Sequence, residues 1–309
     1  MTAGLGTLRA GTRGSALARW QTARVSDALE RLTGVSSRPV VLSTTGDRDL
    51  DIPLPALGGK GAFTAELETA LREGRIDFAV HSLKDLPVAD APGIAVAAVL
   101  SRDDPRDVVI ARSGTPLADL PQGAVVGTSS NRRMAQIAAA RPDLGVRSLR
   151  GNVDTRVQKA LAGEYDAIVI AAAGVHRLGL TRHITEYLTF EQMLPAPGQG
   201  ALAVQCRADD DATRTLLEVL DDPAARTPTA AERSFLSDLG GGCAAPIAAL
   251  GESFEGDGRR RLRLTGLVAS LNGRRVVRGT VEGEWSSGTK LAGELAAYVT
   301  GLGARELLS

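Results

Sequence analysis

Aromatic side chains are scarce in this sequence: Phe, Tyr and Trp together make up 3% of the 309 residues. That leaves little surface on which bases could stack. Net charge is missing too, because 36 Lys and Arg are matched by 36 Asp and Glu, so bulk electrostatics gives no reason to expect nucleic acid. Cysteine occurs twice, as Cys206 and Cys243. That is too few for a disulfide framework or a metal site, and no metal is expected. No window approaches 18 consecutive apolar residues, and the N-terminus has no charged stretch followed by an apolar one. Neither a membrane span nor a secretory signal is expected, and the protein reads as cytoplasmic. His81, His176 and His183 are the three histidines; none has the setting a cysteine hydrolase needs for its base.

What is present is a globular composition, 43% apolar and 23% charged, long enough for two or three domains. Residues 78–80 read as a buried strand that ends in His81-Ser82-Leu83-Lys84-Asp85-Leu86-Pro87. Pro87 biases Leu86 away from helical dihedrals, which puts Lys84 and Asp85 on a loop at the C-terminal end of the strand. Open α/β sheets keep their chemistry at such ends. A strand over 8–10 runs into Gly11-Thr12-Arg13-Gly14-Ser15 and a helix capped by Ser15 and Gly34, with Leu17, Trp20, Ala28, Leu29 and Leu32 as its apolar face. A strand over 40–42 leads into a long connection, 44–61, which reads as a lid. The stretch Ser101-Arg102-Asp103-Asp104-Pro105-Arg106-Asp107 breaks the pattern like a domain linker. Strand-loop-helix units then restart, which predicts parallel sheets with right-handed crossovers. After about residue 221 the pattern becomes α+β, with a helix that Thr229 and Glu232 would open as a capping box.

Three strand-to-helix loops repeat the same ingredients: Arg13 with Thr12 and Ser15; Arg132 and Arg133 with Thr128, Ser129 and Ser130; Arg150 and Arg156 with Asn152. Backbone N–H groups at a helix start favour an anion. An arginine in the first turn opposes the helix dipole by about 0.3–1 kcal/mol. Arg132 and Arg133 are therefore poor choices unless an anion is expected there. With Arg177 at a fourth strand end, the sequence predicts an arginine-lined cleft with one carboxylate, Asp85, among the cations. Cys206 alternates with Leu202 and Val204 as a small buried hydrophobe. Cys243 follows three glycines and is either a reactive thiol or a tolerated loop residue.

These residues fall into an ordered series of motifs: Gly11-Thr12-Arg13, Gly59-Lys60-Gly61 with Phe63, His81-Ser82-Leu83-Lys84-Asp85-Leu86-Pro87, and Asp104-Pro105-Arg106-Asp107. They continue with Gly127-Thr128-Ser129-Ser130, Arg132-Arg133, Leu149-Arg150-Gly151-Asn152, Gly198-Gln199-Gly200 and Gly241-Gly242-Cys243. In that order the chain resembles the porphobilinogen deaminase (hydroxymethylbilane synthase) family over nearly its whole length.

The resemblance implies an α/β fold of two periplasmic-binding-protein-like doubly wound domains plus a C-terminal α+β domain. Residues 1–101 with 199–220 would form the first, 102–198 the second and 221–309 the third. It implies a dipyrromethane cofactor held as a thioether on Cys243 and extended by four porphobilinogen molecules with loss of ammonia. Asp85 would be catalytic, stabilising cationic pyrroles. Lys84, Asp47, Thr128, Ser129, Arg132, Arg133, Arg150, Asn152 and Arg156 would bind the cofactor; Arg13, Ser15 and Arg177 would bind substrate; Lys60 and Phe63 would belong to the lid. A monomer is expected, with no nucleic-acid or membrane partner. Asn131, and Val175-His176 before Arg177, depart from the family pattern. The alternative, a non-catalytic two-lobed polycarboxylate-binding protein, would need neither Asp85 nor Cys243.

Overall fold

The computed structural model describes residues 6–44, 64–89, 91–242 and 244–308. It packs as two compact units, Met1–Arg102 with Ala201–Arg226, and Asp103–Gly200 with Thr227–Ser309.

The first unit holds β1 (Leu8–Arg13), α1 (Ala16–Thr33), β2 (Ser37–Leu42), α2 (Ala65–Arg72), β3 (Phe78–Ser82), β4 (Ile94–Val99), β10 (Leu202–Arg207) and α6 (Asp211–Glu218). Its sheet runs β2-β1-β3-β10-β4. Ser15 opens α1 by accepting from the Ala18 N–H, and Gly34 closes it at a φ of 74°, a left-handed position that suits glycine. The helix turns a different face inward from the one its apolar residues predict. Gln21, Thr22, Val25 and Leu29 are buried, while Leu32 is 63% exposed. One sheet face packs Ala10, Phe78, Val80, Val204 and Cys206 under Val25, Leu29 and Leu217. The other packs Ala79 and Ile94 under Leu67, Ala70 and Leu71 of α2.

The second unit begins with β5 (Asp107–Ala111), β6 (Val125–Gly127), α3 (Asn131–Ala140), β7 (Gly145–Arg147), α4 (Val153–Leu161), β8 (Ala167–Ala171), α5 (Ala172–Arg177) and β9 (Glu186–Tyr187). This sheet runs β7-β6-β8-β5-β9. Helices cover both faces of each five-stranded sheet, as the doubly wound class requires, but the all-parallel expectation fails. Chain that has crossed back pairs β10 antiparallel with β3 and β4, and β5 is antiparallel to β8 and β9.

The α+β region consists of α7 (Pro223–Asp238), an antiparallel sheet of β11 (Ile247–Gly256), β12 (Arg259–Ala269) and β13 (Val276–Glu284), and α8 (Gly288–Gly301). Ala248, Leu250, Leu267 and Ala269 of that sheet pack against Ala135 of α3 and Leu194. The capping-box expectation is overturned here. Asp222 accepts from the Ala224 N–H and the Arg226 N–H, and Pro223 occupies the first position, where its missing N–H costs nothing. The helix therefore starts six residues before Thr229, with Pro228 inside it. Glu232 reaches across to other segments: its two oxygens accept from the N–H groups of Gly198 and Gly251, each at 2.7 Å. Gly251 lies so close to Pro228 that a Cβ there would come within 2.9 Å of the proline carbonyl.

Glu232 is fully buried, so removing its carboxylate strands two N–H groups away from water. Glu232→Ala is expected to lower stability by about 3–5 kcal/mol in urea unfolding; a loss below about 1 kcal/mol would show that the carboxylate does not fasten β11 and the Gly198 turn.

Candidate active site

In the first unit β1 and β3 are adjacent and parallel, Gly11 lying opposite Ala79, so the segments after both strands leave the same edge of the sheet. This brings Arg13 and Ser15 into the neighbourhood of Lys84 and Asp85. Lys84 and Asp85 sit on a 3₁₀ turn, Leu83–Asp85, which the Leu86 N–H closes onto the Leu83 carbonyl at 3.2 Å. Asp85 is exposed and Lys84 half-buried. Gln21 of α1 donates to Ser82 Oγ at 2.9 Å, fixing the end of the strand that carries the turn. The Ser15 hydroxyl caps α1, so in this structure it serves the helix.

His81, just before the turn, is 5% exposed. Burial, helped by the nearby positive charge of Arg13 and opposed weakly by the Gln205 amide, lowers its pKa from 6.5 to about 4. Its Nε2 has no close hydrogen-bond partner among the described residues. The imidazole is neutral at physiological pH, which leaves Asp85 as the charged group of this stretch suited to a cationic ligand.

In the second unit β6 and β7 are parallel neighbours, and Ser129 joins their loops. Its Oγ donates to the Leu149 carbonyl at 2.7 Å, accepts from the Leu149 N–H at 3.0 Å and lies 3.0 Å from Ser148 Oγ. Thr128 Oγ1 accepts from the Ser130 N–H. Arg156 reaches back one turn to donate to the Gly151 carbonyl at 2.7 Å. Asn152 precedes α4 without a side-chain cap bond, and Arg150 beside it is half-buried.

The anion expected beside Arg132 and Arg133 is present, and it is a protein carboxylate. Asp107, fully buried at the start of β5, accepts from Arg132 Nη1 on Oδ2 and from Arg133 Nη2 on Oδ1, each at 2.7 Å. Gln199 Nε2 adds a bond to Oδ1 at 2.8 Å. Burial alone would raise the Asp107 pKa; the two guanidiniums outweigh it and hold the carboxyl well below the usual carboxylate range. Arg132 Nη1 also donates to the Leu194 carbonyl, yet Nε of each arginine is buried without a partner among the described residues. Among the described residues, two cations and one anion leave one excess positive charge under cover. Such a charge is costly unless an anion joins it.

Arg177, expected to bind substrate, is 5% exposed in its side chain and pairs with Asp103 at 2.8 Å, while donating to the Gly200 carbonyl. Asp103 is 48% exposed, so the carboxylate partner of Arg177 is open to solvent, whereas Asp107 is fully buried. Sequence reasoning placed Asp107 and Gln199 in motifs and Asp103 in a linker but gave none of them a role in the site. The available signal was a carboxylate opening the apolar run 108–111.

Asp47, Lys60, Phe63 and Cys243 lie outside the described residues, as does most of the expected lid. The backbone on either side of Cys243 is described: the Ala245 N–H donates to the Gly242 carbonyl at 2.9 Å, and Asn131 Nδ2 to the Ala244 carbonyl at 2.8 Å. The departure at Asn131 thus ties the first turn of α3 to this loop. Cys206 is fully buried, and burial pushes its thiol up to about 11.

The chain is an α/β protein whose strand ends carry arginines, hydroxyls and helix starts, groups of the kind that suit anions. The family described as "Porphobilinogen deaminase, dipyromethane cofactor binding domain" matches residues 8–215, and "Porphobilinogen deaminase, C-terminal domain" matches 227–298. The porphobilinogen deaminase of Roseiflexus castenholzii is 48% identical over 304 residues, covering 98% of this chain and 99% of that protein. That of Mycolicibacterium paratuberculosis is 48% identical over 307 residues, covering 98% and 96%. A periplasmic substrate-binding protein of an ABC transporter from Coxiella burnetii aligns at a TM-score of 0.44 and 14% identity, over 74% of this chain and 95% of that one. This chain belongs to the porphobilinogen deaminase family.

Because the folded pKa of His81 lies below the unfolded one, the unfolded chain binds its proton first as pH falls. The stability gained by burying it neutral is complete above about pH 6.5 and is lost toward pH 4, on the order of 3 kcal/mol. In urea unfolding at stepped pH, His81→Gln should flatten this slope. An unchanged slope would place the titration elsewhere.

Proposed function

We propose that the residues above serve the family reaction in this chain, with Cys243 as cofactor anchor and Asp85 as catalytic carboxylate. The enzyme is a transferase that joins four porphobilinogen molecules head to tail, with loss of ammonia, on a dipyrromethane primer, and releases hydroxymethylbilane. When bound, the primer supplies the pyrrole nucleophile on which the chain grows. The observation that carries the residue assignment is the excess positive charge at Arg132 and Arg133, which suits a ligand bearing several carboxylates.

Arg132, Arg133, Arg150 and Arg156 take carboxylates of the primer, with Thr128, Ser129, Asn152, Lys84 and Asp47 as further contacts. Arg13 and Ser15 receive the incoming substrate. Arg177 takes a substrate carboxylate that shares or displaces Asp103. Asp85 offers a fixed negative charge to the cation left on the substrate when ammonia departs, and to the pyrrole N–H groups that must stay oriented during coupling. His81, neutral and buried, shapes the end of β3 and exchanges no proton at neutral pH. Lys60 and Phe63 belong to a segment covering the reaction. The division into domains 1–101 with 199–220, 102–198 and 221–309 belongs to the same proposal, as do a monomeric state and a cytoplasmic location. Among the described residues no helix is long and apolar enough to cross a membrane.

Intact mass under denaturing conditions tests the anchor. The wild-type chain and Cys206→Ser should carry the mass of two linked pyrroles and Cys243→Ser should not; the bare mass in wild-type protein incubated with porphobilinogen would sink the assignment. Asp85→Asn should keep the added mass yet lose turnover by roughly 10²–10³-fold, the range seen when one transition-state electrostatic contact is removed. Turnover near wild type would return Asp85 to an ordinary surface carboxylate.

A further inference from the structure

Three stretches far apart in sequence meet at one buried carboxylate. Asp107 closes the Asp104-Pro105-Arg106-Asp107 stretch, Arg132 and Arg133 open α3, and Gln199 lies between two glycines. Both Asp107 oxygens are in use, Oδ2 by Arg132, Oδ1 by Arg133 and Gln199. Gln199 is itself held by the Pro105 carbonyl at 2.7 Å, and Arg132 by the Leu194 carbonyl at 2.7 Å. Side-chain exposures are 0%, 4% and 7% for Asp107, Arg132 and Arg133. A second buried cation adds desolvation cost and repulsion that Asp107 cannot cancel. The burial that lowers the Arg132 pKa is that cost seen from the arginine's side.

We propose that Asp107 is a positioning residue of the reaction: it holds Arg132 and Arg133 side by side and cancels one of their two charges, leaving the pair set for a single ligand carboxylate. This rests on the reading of the two arginines as cofactor-binding. Asp107 touches neither primer nor substrate and acts through the guanidiniums. A displacement of these groups by about an ångström is enough to cost roughly a hundredfold in rate.

The test replaces the missing group from solution. Asp107→Ala opens a space for formate, a carboxylate the size of the one removed. Without formate the variant is expected to load the primer poorly by intact mass and to lose kcat by roughly a hundredfold. With formate, primer loading, kcat and the thermal midpoint should rise together, while the wild-type protein responds in none of the three. Asp107→Asn keeps the shape without the charge and covers the case in which Asp107→Ala does not fold; it should load poorly and not respond to formate. Formate that restores the thermal midpoint of Asp107→Ala but neither loading nor kcat would assign Asp107 to stability alone and overturn the proposal. So would Asp107→Asn with wild-type loading and kcat. Failure of the underlying cofactor reading would show separately, as a wild-type chain that never gains the primer mass.

Discussion

One fully buried carboxylate facing two buried guanidiniums sets the terms for the second unit. Asp107 fixes the start of β5, the first turn of α3 and the glycine turn around Gln199 through charge-assisted bonds of 2.7–2.8 Å. Such bonds are strong because no water competes for them. Among the described residues, the same cluster leaves one positive charge that Asp107 does not balance. Stability and ligand affinity therefore draw on one arrangement, and an anion that completes it binds only the folded chain and stabilises it by linkage.

The first unit solves a complementary problem. A cationic ligand needs a fixed negative charge near a strand end that does not move. The 3₁₀ turn Leu83–Asp85 supplies this, anchored below by Gln21 on Ser82. Four residues before Asp85, in the strand, an imidazole is kept neutral by burial beside Arg13. Exposed Asp85 and buried His81 are close in sequence yet opposite in electrostatic character, because one is solvated and the other is not.

Local signals were legible in the sequence. Ser15 and Gly34 bound α1 because capping involves only the residues next to a helix end. The strand ends and their arginines followed from apolar runs that stop at charged residues. What involved distant partners was not legible. The carboxylate that meets Arg132 and Arg133 lies about 25 residues earlier, and nothing in the helix start points to it. Thr229 and Glu232 have capping-box spacing, but Asp222 and Pro223 start the helix sooner and Glu232 bonds across to β11 and to the turn at Gly198. The inward face of α1 was misjudged because Gln21 and Thr22 are buried polar groups. The antiparallel β10 was hidden because a βα rhythm reports that strands exist, not which way a returning strand runs.

The position of β10 has a consequence for biosynthesis. Among the described residues, β3 and β4 of the first sheet are joined only through β10, which is formed by Leu202–Arg207. A nascent chain that has emerged as far as β4 carries two strands whose shared neighbour does not yet exist. The second sheet, by contrast, is built entirely from Asp107–Tyr187 and has every strand it needs before β10 leaves the ribosome. The later stretch of chain can thus close its sheet first, while the N-terminal one waits with apolar strand edges open. Such edges are the feature of a growing chain that chaperones cover.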